Sequence, residues 1–342
     1  MDTILRKTLL IVLVLTMMVA FAPVTGTSAE FNMKCGTPDP PGGPNSTYAR
    51  WMVNELEKRS GGRIAGKVFP MSQLGNNVQR IEQMQLGTLE CDIGAVAFMS
   101  GAYPPVTVFD LPFIFPNNYD KVRKILSHGK ASQWLSKDME RVRLKALAFI
   151  PTSFKVFTTT NKPITKLEDM KGIKFRSMAS PILLAQFKAL GANAIPIPFG
   201  EVYGALQSGL AEGQENPYWV LDRMKFFEVQ KYVIESYHGV IVVHSSVSMK
   251  FWNSLPGDLK KILQDVVIEG EKVFAARVIE TDNIAIAKLK KAGLKFLQLA
   301  PGERERFRKA TEGVEQVFLK QIGAKGKELL DLLKADIARY GK

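Results

Sequence analysis

The residue best placed to do chemistry in this chain is an arginine. In Gly172-Ile-Lys-Phe-Arg176, Ile173 and Phe175 alternate with Lys174 and Arg176, which is the two-residue period of a strand. Arg176 falls at the carboxyl end of that strand, just before Ser180-Pro181, a capping residue followed by a proline at the first helical position. Ligands of open α/β sheets bind at that end. A guanidinium there can grip a carboxylate through two parallel charge-assisted hydrogen bonds. Unfilled amides at the helix start add to the pull on an anion. Judged by its local pattern alone, an arginine of this kind is more often exposed than buried.

Signatures of covalent or metal chemistry are missing. The chain has no Gly-x-Gly-x-x-Gly, no P-loop, no Gly-x-Ser-x-Gly, no His-Glu-x-x-His and no Cys-x-x-Cys. Its 3 histidines are His128, His238 and His244. The last two lie in a β-rich segment without carboxylates at metal-ligand spacing, so no metal and no cofactor is expected. An enzyme would need a nucleophile, a metal or an acid–base pair that the sequence does not offer.

Alternating strand and helix patterns surround Arg176. Glu30 to Thr37 reads as a first strand, ended by the turn cluster Pro38 to Pro44. A helix follows, with Asn45 or Ser46 as its cap and Gly61-Gly62 as its stop. Gly66 to Phe69 is a second strand, and Val78, Ile81 and Met84 mark a helix ending at Gly87. Cys91 to Val96 is apolar enough to be buried on both faces, which argues for a parallel sheet covered on both sides. Leu147-Ala-Phe-Ile150 and Val156-Phe-Thr-Thr159 are two extended runs separated by Pro151-Thr-Ser153, and the chain changes domain there. A second βα series begins at Gly172. His238 to Met249 is β-rich and carries the chain back, and Asp258 to about Lys291 is one long helical pattern, with more helices after Pro301.

The first residues read as an export signal. Arg6 and Lys7 precede an apolar run from Thr8 to Ala22, and Thr27-Ser28-Ala29 supplies small residues for cleavage. That run is shorter than the roughly 20 residues of a membrane span. Cleavage after about Ala29 leaves residues 30–342 and lowers the net charge from +13 to +12. The basic residues are scattered beside acids, as in Glu303-Arg-Glu-Arg-Phe-Arg308. This describes solvated faces rather than a nucleic-acid platform. Cys35 and Cys91 are the only cysteines and sit in strand-like segments. They read as two buried thiols, with a disulfide left open by the oxidising compartment.

Several stretches, in order across most of the mature chain, resemble the substrate-binding proteins of tripartite ATP-independent periplasmic (TRAP) transporters, the DctP-like family. They include Phe69-Pro-Met-Ser-Gln-Leu-Gly75, Phe109-Asp-Leu-Pro-Phe-Ile-Phe-Pro116, Asp169-Met-Lys-Gly-Ile-Lys-Phe-Arg176, Pro198-Phe-Gly-Glu-Val-Tyr203 and Gly213-Gln-Glu-Asn-Pro217. The resemblance implies a two-domain α/β periplasmic binding protein of type II-like fold. It would have a hinge cleft, a long domain-spanning helix and a helical C-terminal tail. The expected division is 30–153 plus 242–281 for the first domain and 154–241 plus 282–342 for the second. Arg176 is then expected to hold a ligand carboxylate and Asn216 to be its amide partner. Phe199 would pack on the ligand or in the core, and His238 would line the cleft. Glu201, Tyr203 and Gln207 are expected to support the fold. The implied partners are a small carboxylate and the large and small integral membrane subunits. A monomer is favoured.

Departures from the family pattern bear on specificity. Where the family has Gly-Phe-Arg, this chain has Ser153-Phe-Lys155. Lys155 is therefore a candidate second ligand contact that has lost the planar fork. Asn77, Ala95 and Phe98 stand where the sialic-acid-binding branch carries charged cleft residues, and Trp219 adds an apolar surface. A polyhydroxylated acid would keep unmet hydrogen bonds in such a cleft. A smaller or less polar carboxylate is expected instead. A binding protein serving a sensor or an ATP-driven importer would use the same cleft with a different membrane partner.

Overall fold

The computed structural model describes residues 29–341, so the expected signal segment and its cleavage site lie almost wholly outside the described residues. Two sheets organise the chain. The first has the order β2-β1-β3-β10-β4, with β1 Phe31–Gly36, β2 Ile64–Phe69, β3 Cys91–Ala95, β4 Leu144–Phe154 and β10 Val240–Ser248. The second has the order β11-β9-β5-β8-β6-β7, with β5 Val156–Thr159, β6 Lys174–Ser177, β7 Asn193–Pro196, β8 Gly213–Asn216, β9 Tyr232–Ile234 and β11 Lys295–Leu297. Neither sheet is purely parallel. β10 runs antiparallel to β3 and β4, and β5 runs antiparallel to β8 and β9. The chain crosses between sheets in extended form at these strands, so each must enter against its neighbours. β4 also continues through Pro151-Thr-Ser153, where the sequence suggests a break.

Local signals account for most element ends. Asn76 caps the helix Asn77–Leu86 in a reciprocal capping box with Gln79, and Gly87 ends it in the left-handed conformation (φ 70°). The helix Pro44–Arg59 starts earlier than expected. Gly43 is its N-cap and Pro44 takes the first turn, so Asn45 and Ser46 lie inside it. Their backbone N–H groups are accepted by Asp39 Oδ2 at 3.0 and 3.3 Å, which does the work of a cap from outside the helix. Cys35 and Cys91 are Cα partners on β1 and β3, 4.4 Å apart. Adjacent strands in register put the two side chains on one face, and the sulfurs are joined. The expectation of two free buried thiols is corrected to a disulfide.

The helix Gly257–Lys291 joins the two lobes. Leu259, Leu263, Val266, Val267, Phe274 and Val278 pack in the first lobe's core with Tyr48 and Met52. Ala285 and Leu289 enter the second lobe's core with Val156 and Val233. A Cβ on Gly270 would sit 2.4 Å from the Tyr48 ring, so this glycine is what lets the long helix lie so close to Pro44–Arg59. The tail departs from the expected division at residue 282. Leu329, Leu330 and Leu333 pack with Val122, Ile125 and Leu135 of the first lobe, and Asp336 Oδ2 accepts the N–H of Ala131 at 2.9 Å. The strap thus returns from the second lobe to cover the first, because its apolar stripe complements the helices there.

Candidate functional site

The two largest fully buried side chains are arginines in opposite circumstances. Arg80 is 0% exposed and its Nε donates to Asp92 Oδ1, while Nη1 donates to the carbonyl of Gly75 at 2.8 Å. It is a paired structural cation. Arg176 is 1% exposed, and its Nε and Nη2 both donate to the carbonyl of Ile197 at 3.0 and 2.9 Å. Among the described residues it makes no ion pair, and its Nη1 has no protein partner. Burial pushes its pKa down to about 10, against a partial offset from Glu215. A desolvated guanidinium without an anion is costly unless something supplies one.

The pleat of the second sheet then sorts the neighbouring polar groups. β6 and β8 run in parallel with Arg176 opposite Gln214, so Arg176, Gln214 and Asn216 share a face and Glu215 points to the other. On that other face Glu215 Oε1 accepts from Lys155 Nζ at 3.0 Å. Its Oε2 meets His238 Nε2 at 2.6 Å and Gln186 Nε2 at 3.0 Å. Burial raises the Glu215 pKa, but Lys155 and His238 outweigh it and hold the carboxyl well below the usual range. An ionised carboxylate accepts only, so His238 carries its proton on Nε2 and takes the Ser236 hydroxyl on Nδ1 at 2.7 Å. Burial presses the His238 pKa down to about 4, and its ring stacks on Phe157 at 3.9 Å. Lys155 and His238 are therefore engaged with Glu215 and are absent from the lining of the cavity described next. Both lie where the chain passes between sheets, and Lys155 N donates to the Gly239 carbonyl at 2.8 Å.

Between the lobes is a narrow cavity of ≈ 40 Å³. Asn77 and Phe98 of the first lobe and Met178, Phe199, Asn216 and Trp219 of the second are among the residues that line it. A second cavity of ≈ 240 Å³ shares Asn77, Phe98 and Phe199 with it. Of the residues singled out in the sequence, the structure brings Asn77, Ala95, Phe98, Phe199, Asn216 and Trp219 together here. Arg176 is not itself among the lining residues and is buried on the same sheet face as Asn216. Asn45 and Asp39, which also line the cavity, escaped the sequence reading because they look like turn and cap residues. Glu215 could have been found from period two, which opposes it to Asn216 in the same motif.

Asp110 and Ser180 tie the lobes to each other, with Ser180 Oγ donating to Asp110 Oδ2 at 2.8 Å. Burial pushes the Asp110 pKa up to about 7 from 3.8, opposed by Lys155 and the Ser180 hydrogen bond and reinforced by Glu215. Between about pH 4 and 7 the folded state therefore holds a proton that the unfolded chain has released. This contribution to stability is complete below pH 4 and lost as pH rises through 7. Asp110→Asn keeps an acceptor for Ser180 and removes the titration. Its stability relative to the parent should rise by at least about 1 kcal/mol between pH 4.5 and pH 8 in urea unfolding. An offset equal at both pH values would show that Asp110 does not titrate in this window.

Two lobes on a shared long helix, with a cavity at their junction, define a hinged solute-binding protein of the periplasmic type. Comparison with known proteins agrees. The family described as bacterial extracellular solute-binding protein, family 7 (DctP) matches residues 36–321. The C4-dicarboxylate-binding periplasmic protein DctP of Vibrio cholerae is 32% identical over 303 residues, 87% of this chain and 87% of that protein. Among solved structures, a TRAP periplasmic solute-binding protein of Desulfovibrio salexigens with bound orotic acid is 36% identical. It aligns with a TM-score of 0.88 over 90% of this chain and 99% of that one. The sugar-acid-binding protein of Advenella mimigardefordensis in complex with galactonate is 27% identical, with a TM-score of 0.84 over 89% and 99%. The chain belongs to the DctP family of TRAP solute-binding proteins, a family of binding proteins rather than enzymes.

Proposed function

We propose that this protein is the periplasmic subunit of a TRAP transporter. In this reading it captures an organic acid between its lobes by an Arg176–carboxylate contact and hands it to the large and small integral membrane subunits. The observation that carries the reading is the buried guanidinium of Arg176, without an anion among the described residues, on the sheet face of Asn216, which lines the interlobe cavity. A ligand carboxylate would supply the missing charge through Nη1, and closure of the hinged lobes over it would favour the liganded form. The named relatives hold a C4-dicarboxylate, orotic acid and galactonate, so membership of the family leaves the ligand open. The cavity's walls include Phe98, Met178, Phe199, Trp219, Val220, Ile241 and Val243, which favours a small or relatively apolar carboxylate.

The test is a thermal-shift panel on residues 30–342, freed of co-purified ligand by unfolding and refolding. An acid at a thousandfold excess over its Kd should stabilise the fold by about 4 kcal/mol. Silence from a well-folded protein across dicarboxylates, ring acids and sugar acids would end the binding-protein reading for this site. Uronates binding while the smaller acids do not would end the apolar-ligand part alone.

A further inference from the structure

Not every polar group in the cavity wall is available to a ligand. Asp39 has both carboxylate oxygens committed, Oδ1 to the Thr37 hydroxyl at 2.6 Å and Oδ2 to the amides of Asn45 and Ser46. Thr152 gives its hydroxyl to the Ile241 carbonyl at 3.0 Å. Asn77 Oδ1 accepts from Arg80 Nη2, and arginine can only donate, so Asn77 is fixed with its NH₂ as the free end.

Asn216 is fixed by a longer relay. Gln230 Nε2 donates to the Val229 carbonyl at 3.0 Å, which leaves Gln230 Oε1 to accept from Thr158 Oγ1 at 2.8 Å. Thr158 Oγ1 in turn accepts from Gln214 Nε2 at 2.7 Å, and Gln214 Oε1 accepts from Asn216 Nδ2. Asn216 Oδ1 is therefore an uncommitted acceptor whose orientation is set by a distant carbonyl.

Two further lining residues carry buried polar atoms with no partner among the described residues, Asn45 Oδ1 and Trp219 Nε1. Both residues are 4% exposed, so bulk solvent does not reach them. A buried polar group left unmet is costly. Trp219 offers only a donor, and Asn45, whose amide no protein hydrogen bond orients, can turn either its oxygen or its NH₂ to the cavity.

We propose that Asn45 and Trp219 are specificity residues of this cleft, and that with Asn77 and Asn216 they read a flat cyclic amide or imide ring bearing the carboxylate. This rests on the Arg176 reading above. A carboxylate accepts only, so the acid group cannot answer Asn216 Oδ1. The ligand body must present an X–H. An ammonium group fits poorly, because the lining's one carboxylate, Asp39, is committed. A sugar acid brings more hydroxyls than these four groups can meet among apolar walls. Carbonyl and N–H groups alternating around one ring supply acceptors and donors together, and the aromatic faces of Phe98, Phe199 and Trp219 suit a flat body.

Titration calorimetry with orotate, benzoate, succinate and galacturonate tests this on the parent, Trp219→Phe, Asn45→Ala and Arg176→Met, each checked for folding by its unliganded Tm. Orotate is expected to bind at least about a hundredfold tighter than benzoate, which has the ring and the acid without the amide edge. Trp219→Phe keeps the ring and removes one N–H. It and Asn45→Ala should each weaken orotate at least about tenfold. Benzoate, succinate or galacturonate binding as tightly as orotate would overturn the proposal. So would orotate affinity unchanged in both variants while Arg176→Met abolishes it, which would leave the carboxylate reading standing. Full affinity in Arg176→Met would instead overturn the carboxylate reading itself.

Discussion

Arg176→Met is expected to weaken binding of any acid the protein takes by at least about a thousandfold while leaving the unliganded fold intact. Truncating one partner of a buried, hydrogen-bonded charge pair costs about 2–5 kcal/mol or more, and a factor of a thousand corresponds to about 4 kcal/mol. The unliganded protein should respond differently. Methionine keeps the apolar stem and removes a cation that has no anion partner among the described residues and whose pKa burial has pushed down to about 10. Relief of that desolvation opposes the loss of two hydrogen bonds to the Ile197 carbonyl, so the unliganded Tm should move by only a few degrees. Arg176→Lys should fall between, since an ammonium keeps the charge and loses the fork. Calorimetry and thermal melts on the same preparations decide. Affinity within tenfold of the parent would remove Arg176 from the site, and an unliganded Tm lower by more than about 10 °C would make it a structural residue.

The residues that build this site differed in how legible they were. Arg176 follows from period two and from its place at the end of its strand, both local properties, whereas Asn216 was expected only from the family resemblance. The long helix is a periodic pattern that only needed counting. The destination of the tail was not legible, because the stripe of Leu329, Leu330 and Leu333 says that the helix is covered without saying by which lobe. Lys155 and His238 were expected at the ligand because the motif places them near the cleft. Which side of the sheet they meet depends on Glu215, one residue from Asn216 and on the opposite face. Asn45 looked like a helix cap. Asp39, reaching in from the preceding turn, serves the amides there and leaves the asparagine side chain free to face the cavity. In each case a tertiary partner decided the role, and single-sequence pattern does not encode partners distant in the chain.

Lys155→Met tests that redistribution of roles. Lys155 lies between β4 and β5, where the chain passes from one sheet to the other, and its N–H holds the Gly239 carbonyl of the returning segment between β9 and β10. Its ammonium and His238, from those two crossing segments, converge on Glu215, so one buried carboxylate pins both. Removing the lysine leaves Glu215 buried with a neutral histidine and an amide, which should cost about 3–5 kcal/mol and lower the Tm by roughly 6–15 °C. Adding Glu215→Gln removes the stranded charge and should recover a substantial part of that loss. A double variant no more stable than Lys155→Met would show that the pair is not coupled. Acid affinity in the folded single variant should stay within a few-fold of the parent, because Nζ is spent on Glu215, whereas Arg176 has no such partner among the described residues. The reverse pattern, a hundredfold loss of affinity with a Tm shift of only a degree or two, would return Lys155 to the ligand and imply that it leaves Glu215 when an acid enters.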